Sequence, residues 1–438
     1  GIFVQDQWTI DRLTLNLGVR YDHFKGGYPE QVRRPVAFIP DWNLSFPAVV
    51  GNSLHDITPR VGAAYDLTGG GRTALKISLG KYPLAVIPVG NPAAVSDTIT
   101  RSWADRNANF WPDCDLLNLQ ANGECGTVSN LNFGRPISAV QFNRDLRFGW
   151  GHRPWSAEFS VGVQHQLVPR LGVDVGYFRR WYGNFMVTDN RAVGPADFDT
   201  FSVTAPRDPR LPSGGGYVIG RLYDLNPVRF GQVDNYQTFA KEYGEQVEYW
   251  QGVDVGVNAR LQGGALLQGG VSTGRTVTDN CEIRERLPEI GPTNPYCRVV
   301  TNFLTQVKLL GAYPIPGIDV QVAATFQSSP GTPIAANRQY SNAEVLSSLG
   351  RPLAGGAANT TVNLVPPGTM YGDRVNQLDV RLSRPLRVGR YRLVLNLDVA
   401  NVLNASPVMQ LNNNYAVWLT PQRIMDARIF KVSGQLDF

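Results

Sequence analysis

The sequence predicts an all-β fold, an antiparallel transmembrane β-barrel. Three observations predict it: side chains alternating with period two, connections that are short and long by turns, and aromatic residues near strand ends. The alternation is plain in RLGVDVGYF, where Leu171, Val173, Val175 and Tyr177 form one face and Gly172, Asp174 and Gly176 the other. In GVDVGVNARL, Val253, Val255, Val257, Ala259 and Leu261 oppose Asp254, Gly256, Asn258 and Arg260. About thirteen segments of roughly nine to thirteen residues carry the pattern, the length a tilted membrane strand requires. A soluble sandwich alternates too, but its polar face meets bulk water and carries more Lys and Glu. Here the polar face is Gly, Asp, Asn, Gln and Arg, which suits a wet lumen.

The strands come in pairs. The chain opens with GIFVQDQWTIDRLTLNLGVRYDHF (1–24), two alternating runs joined tightly at IDR (10–12). Further tight joints are TGGGR (68–72), VPR (168–170), QGG (262–264), PIPG (314–317) and RVGR (387–390). Between pairs lie long segments rich in Pro, Asn and Gly, at about 25–56, 83–154, 183–248, 278–302, 329–375 and 404–420. Such sorting of turns to one end and loops to the other is the mark of an outer-membrane barrel, and a propeller or lipocalin does not produce it. Trp8, Tyr21, Tyr65, Trp155, Tyr177, Tyr249, Trp250, Tyr313, Tyr391 and Phe430 are expected to form interfacial girdles.

Composition agrees. Charged residues are 18 % of the 438, Gly numbers 45 and aromatics are 10 %, a β-rich mixture with many turns. The net charge of +5 is spread along the strands without a basic block, so no nucleic-acid partner is expected. No apolar run is long enough for a membrane-spanning helix, a test that barrel strands pass unseen because only alternate residues face lipid.

The stretches FVQDQWTIDRLTLNLGVRYD (3–22), ITPRVGAAYDLTGGGRTALKISLGKY (57–82) and the ending NVLNASPVMQ…TPQRIMDARIFKVSGQLDF resemble the barrel of TonB-dependent outer-membrane transporters, nearest to the large Oar-like receptors. The resemblance implies a 22-stranded barrel closed around an N-terminal plug, a plugged lumen that barrel geometry allows. It implies outer-membrane lipid, the barrel assembly machinery and a TonB complex acting through the plug as partners, and active uptake of a small ligand whose identity stays open. A passive porin or a surface adhesin barrel without energy coupling is the alternative. Leu436 and Phe438 supply the alternating hydrophobic end of an assembly signal, although Gly434 sits one place later than that signal's usual glycine. With short turns in the periplasm, Phe438 ends there and Gly1 falls at the outer surface. The chain is therefore expected to be a fragment covering strands 10 to 22 of the family template, its wall unclosed, with plug, energy-coupling box and about nine strands missing.

Cys114 with Cys125 and Cys281 with Cys297 fall within two long loops and are expected to form disulfides, each worth about 3 kcal/mol by loop closure. No CxxC spacing, and no HExxH spacing among His23, His55, His152 and His165, supports a metal, and no cofactor or catalytic residue is expected. The carboxylates of DTITRSWADRNANFWPDCD read as solvated loop residues. Trp103, Phe110, Trp111 and Trp150 are candidates to grip an apolar or sugar-like ligand, or else pack the loops and girdle. Arg20, Asp22, Asp174, Asp254, Arg260, Arg381 and Asp398 are expected on the lumen face, contacting a plug, lining the passage or salt-linking the wall.

Overall fold

The computed structural model describes residues 1–86, 95–131, 133–136 and 140–438, the side chain of Val388 excepted. Thirteen strands pair antiparallel in sequence order: β1 (Ile2–Ile10), β2 (Leu13–Tyr28), β3 (Val49–Asp66), β4 (Thr73–Pro83), β5 (Trp155–Val168), β6 (Leu171–Gly183), β7 (Val247–Arg260), β8 (Leu266–Asp279), β9 (Leu304–Ile315), β10 (Val320–Ser329), β11 (Val375–Val388), β12 (Tyr391–Ala400) and β13 (Ile429–Asp437). Two short strands at the loop end join the same sheet, Phe148–Trp150 beside β3 and Arg298–Val300 beside β8. The expected all-β wall is thus present as one sheet. Its edges, β1 and β13, each pair on one side only, so the wall is open.

Two to six residues join the strands at one end, at 11–12, 67–72, 169–170, 261–265, 316–319 and 389–390. Local chemistry sets these turns. Asp66 accepts the backbone N–H groups of Thr68, Gly69 and Gly71 at 3.1, 3.0 and 2.8 Å, which closes the longest of them. Gly389 takes φ 63°, the left-handed conformation that a two-residue hairpin needs. At the other end the connections run from 20 to 71 residues. Ile2 lies at that loop end and Asp437 at the turn end.

Register carries one face across the whole sheet. Trp8 pairs with Leu15, Leu15 with Ala63, Ala63 with Ile77, Ile77 with Val161 and Val161 with Tyr177, all apolar. The next residues along run Gln7, Asn16, Gly62, Ser78 and Ser160. A slip of one residue would exchange the faces, so hydrophobic patterning fixes the pairing. The apolar face stays uncovered by protein: Val255 is 43 % and Leu395 41 % exposed. Trp8, Tyr21, Tyr65, Trp155, Tyr177, Tyr249, Tyr313, Tyr391 and Phe430 share it, but Trp250 pairs with Arg180 on the polar face and leaves the expected girdle.

The buried core lies away from the wall, in the loops. Phe201, Val203, Leu211, Leu222, Val345, Val362, Leu364, Val365 and Trp418 pack together, drawn from the connections after β6, β10 and β12. A second cluster, Ala240, Ile283 and Leu287, joins the connection after β6 to that after β8.

Val255→Arg is expected to destabilise the chain in lipid vesicles by about 2–4 kcal/mol, while Asn258→Arg on the opposite face costs about 1 kcal/mol or less. Equilibrium denaturant unfolding in the vesicles reads both; equal losses would mean that the two faces do not differ in solvent.

Candidate functional site

The polar face is lined by hollows where small and aromatic side chains alternate. On β4 to β8 the register aligns Gly80, Glu158, Arg180, Trp250 and Thr276 in one row, with Ser78, Ser160, Phe178, Gly252 and Gly274 in the next. The aromatic rings lie down over the glycines beside them. A Cβ on Gly80 would sit 2.7 Å from Tyr82, one on Gly176 2.8 Å from Phe178, and one on Gly252 2.6 Å from Trp250. Covering a strand glycine with a ring restores the packing that the missing side chain gives up. The result is a cavity of about 670 Å³ lined by Glu158, Phe178, Arg180, Trp250, Asp254 and Thr276. A neighbouring hollow of about 430 Å³ is lined by Arg20, Arg60, Tyr82 and Glu158 among others.

Charges of this wall differ in exposure: Asp56 and Arg153 form a buried pair, whereas those beside the hollow are reached by solvent. Arg180 lies 3.4 Å from Glu158, both side chains close to half exposed, donates to Ser156 Oγ at 3.2 Å and lies 5.2 Å from the Tyr182 ring centre. Arg60 covers the Tyr82 ring at 4.8 Å. Asp254 Oδ1 is buried without a hydrogen-bond partner. Aromatic faces beside a cation and two carboxylates suit a polar ligand with some apolar surface. Sequence reasoning did not single out Phe178, Arg180 and Glu158, and it placed Trp250 in the girdle; the signals were GYF and WQG, where an aromatic and a glycine stand two apart on one face.

The charged residues expected on the lumen share this face. Arg20 donates to Asp22 through Nε and Nη2, both at 2.7 Å. Arg381 and Asp398 are direct cross-strand partners, 2.5 Å apart. Asp174 packs over Gly256, Asp254 lines the cavity, and Arg260 stands at the turn end of β7. Leu436 and Phe438 are exposed, Leu436 on the apolar face opposite Leu393.

The four aromatic loop candidates are not gathered into one patch. Trp103, Phe110 and Trp111 sit in the loop that the Cys114–Cys125 disulfide closes, Phe110 84 % and Trp111 69 % exposed. Trp150 stacks instead on His55 at 4.8 Å and lies 5.7 Å from Tyr21, on the apolar face at the loop end. His23 stacks on His55 at 4.2 Å and its Nε2 lies 3.1 Å from Ser53 Oγ. These rings belong to the girdle region. Among the described residues no group of three or more His, Cys, Asp or Glu is placed to hold a metal ion.

Over the loop end stands a folded cap. Arg351 ties two strands of it together by bonding Asp199, Asp224 and the carbonyls of Asp224 and Leu225. Tyr340 donates to Thr204 O at 2.9 Å, Tyr217 to Leu364 O at 2.6 Å and Trp418 Nε1 to Ala335 O at 2.8 Å, so each of the three connections is bonded to another. The Cys281–Cys297 disulfide, with Cα atoms 4.8 Å apart, staples the next loop. Asp208 accepts from Arg210 Nε and Nη2, the Arg210 backbone N–H and Tyr415 Oη, and Arg210 above all holds its carboxyl far below the ordinary carboxylate range.

An uncovered apolar face, a polar opposite face and loops sorted to one rim define an outer-membrane β-barrel wall. The chain belongs to the outer membrane beta barrel domain family, which matches residues 1–238. It resides in the bacterial outer membrane. It is 24 % identical over 453 residues to the TonB-dependent transporter Oar of Myxococcus xanthus, covering 95 % of this chain and 36 % of that protein. The chain thus spans about a third of that relative's length. Among solved structures it is similar to the ferric-catecholate import receptor Fiu of E. coli K12, with 13 % identity, a TM-score of 0.48 and coverage of 99 % of this chain and 43 % of Fiu. It is also similar to the ferripyoverdine receptor of Pseudomonas aeruginosa, with 11 % identity, a TM-score of 0.46 and coverage of 99 % and 37 %.

Because the Asp208 carboxyl is depressed on folding, its contribution to cap stability is full above the ordinary value of 3.8 and is lost as pH falls through the lower folded value. Trp418 is buried, with the Arg210 guanidinium 5.5 Å from its ring. Its emission, taken as the difference from Trp418→Phe, is expected to change as pH drops below 3.8, and Asp208→Asn is expected to flatten that acid dependence. An unchanged acid profile in Asp208→Asn would remove Asp208 from the account.

Proposed function

We propose that this chain is the C-terminal part of the barrel of a TonB-dependent transporter that takes up a scarce ligand across the outer membrane. The observation that carries the reading is the similarity to Oar over nearly the whole chain, and the open wall supports it. In hydrocarbon, each unpaired edge group costs several kcal/mol, so β1 and β13 need strand partners. About nine further strands would close the wall around a plug, as in large plugged barrels. In this reading Trp103, Phe110 and Trp111 meet the ligand at the outer mouth. The hollow around Arg180, Glu158, Trp250 and Asp254 receives it, while Arg20, Asp22, Asp174, Arg260, Arg381 and Asp398 face the passage and plug. Energy comes from an inner-membrane TonB complex acting on the plug, and no residue of the wall breaks a bond. Lipid covers the apolar face, and Leu436 and Phe438 are read by the barrel assembly machinery.

A passive porin or adhesin is the second reading, because a polar hollow wall needs no energy to be permeable. Uptake by cells carrying the full-length gene separates the two, measured for metal chelates, oligosaccharides, peptides and vitamins with and without TonB. Active transport predicts accumulation that falls to the passive level without TonB or after a protonophore, and a further loss with Arg180→Ala. Permeation that ignores TonB would leave the porin.

A further inference from the structure

The loop segment WADRNANFWPDC carries a pattern that solute passage does not use. Asp105, Asn107, Asn109 and Asp113 follow the spacing by which one turn of chain sets oxygen donors around a calcium ion, D-x-N-x-N with a further carboxylate at the ninth position. The backbone takes the matching path. Phe110 N–H donates to Asp105 Oδ2 at 3.0 Å, Asn109 N–H to Asn107 Oδ1 at 3.1 Å and Trp111 N–H to Asn109 Oδ1 at 2.8 Å. Phe110, at the sixth position where such loops place glycine, has φ 60°.

The side chains are drawn together by this path. The Asn107 and Asn109 carboxamides lie 2.5 and 2.9 Å from Asp113 Oδ2. Glu124, brought beside them by the Cys114–Cys125 disulfide, holds both ends of the loop, accepting Arg106 N–H at 2.8 Å and Asp113 N–H at 3.3 Å. A separate observation points to a cation. Asp105 Oδ1 is shut off from solvent with no hydrogen-bond partner. Among the described residues none of Asp105, Asp113 or Glu124 forms a salt bridge with Lys or Arg. A buried carboxylate oxygen without a donor is costly unless positive charge meets it.

We propose that residues 105–113, held by Glu124, form a calcium site at the loop end of the barrel. The donors are the side-chain oxygens of Asp105, Asn107, Asn109 and Asp113 with the Trp111 carbonyl, and Glu124, which accepts Trp103 Nε1–H, Arg106 N–H and Asp113 N–H, holds the ends of the loop. Three carboxylates alone do not converge; the carboxamides complete the set, each oxygen keeping a lone pair beyond the one bonded to a backbone N–H. All-oxygen donors on a flexible loop favour Ca²⁺ over Mg²⁺, which demands a tight octahedron, and over soft transition metals. The bound ion would replace the two Nδ2–H donors on Asp113 and fix the exposed Phe110 and Trp111 rings, so the proposal stands whether or not the barrel is energised.

Terbium tests it, because Trp103 and Trp111 lie within energy-transfer reach of the site. Excitation of tryptophan in the whole chain, folded in detergent, is expected to give saturable Tb³⁺ luminescence. Ca²⁺ should displace it with a midpoint near the ~10⁻⁴–10⁻³ M of extracellular calcium modules, and equal Mg²⁺ should not. Asp105→Asn with Asp113→Asn should weaken binding by more than the about tenfold that loss of an outer-sphere partner costs, and Asp97→Asn should leave it unchanged. Limited proteolysis of the unmutated chain gives a second readout that no folding defect can mimic: Ca²⁺ should protect the bonds between residues 102 and 113, and a chelator should expose them. Absence of sensitised luminescence, luminescence that survives in the double variant, or cleavage indifferent to Ca²⁺ would each overturn the site.

Discussion

The constraint on which the structure depends is that a backbone in hydrocarbon must satisfy its N–H and C=O groups within the protein. A β-ladder does this strand by strand, and the ladder forces side chains to alternate. Every other property of the wall follows from that alternation. One face must accept lipid, so it carries Val, Leu and Ile at positions such as Val175, Val255 and Leu397. The other is then free to be polar, and it is where Arg20, Asp174, Arg180 and Asp398 stand. Apart from a few side chains such as Leu54, Ala157, Ala259 and Val277, the described apolar residues of the wall are left for the membrane to cover and not for one another.

That division explains why the packed core migrates to the loops. A single curved sheet cannot close a hydrophobic core on itself when one side is lipid and the other water. The long connections after β6, β10 and β12 supply what the wall lacks, three chain segments that cover each other's apolar residues. Leu222, Val345 and Leu364 are fully buried there. Hydrogen bonds between segments more than a hundred residues apart, Tyr340 to Thr204 and Tyr217 to Leu364, make the cap one body instead of three independent loops. The loop after β4, with its own disulfide, gives no described residue to this shared core, but its Gln141 and Phe142 pair with Tyr236 and Gln237 of the connection after β6.

The wall was legible in the sequence to the extent that physics writes it with a short period. Val173, Val175 and Tyr177 declare their face because period two has no other economical cause over nine residues. The turns were legible because hairpins draw on a small set of residues, Gly389 and Asp66 among them. The cap was not. Leu222 and Val345 sit in segments without a period, and what buries them comes from another loop, a relation that local pattern does not record. Trp250 was misplaced for a related reason: aromatic character near a strand end suggests a girdle, but parity with Gly252 and Asp254 puts the ring on the polar face. The spacing of Asp105, Asn107, Asn109 and Asp113 was visible yet read as solvated polarity, since only the folded loop shows the carboxamides turned onto Asp113 and Asp105 Oδ1 removed from water.

The glycines of the inner face show how the same constraint reaches function. A polar wall filled with long side chains would plug itself, whereas Gly176, Gly252, Gly256 and Gly274 keep the strands bare where neighbours need room. Tyr82, Phe178 and Trp250 lie flat in the space so made, so that the polar face presents their edges and faces and not their lengths. The hollow between β4 and β8 is therefore a consequence of spacing: an aromatic and a glycine stand two residues apart on β4, β6 and β7, and Phe178 faces Gly252 across the ladder. Arg180 and Glu158 then stand at the rim of a surface with apolar floor and charged edge. In the proposed transporter, such a surface would tolerate variation in a ligand's outline while demanding a polar group at the edge, a selectivity that needs no movement of the backbone.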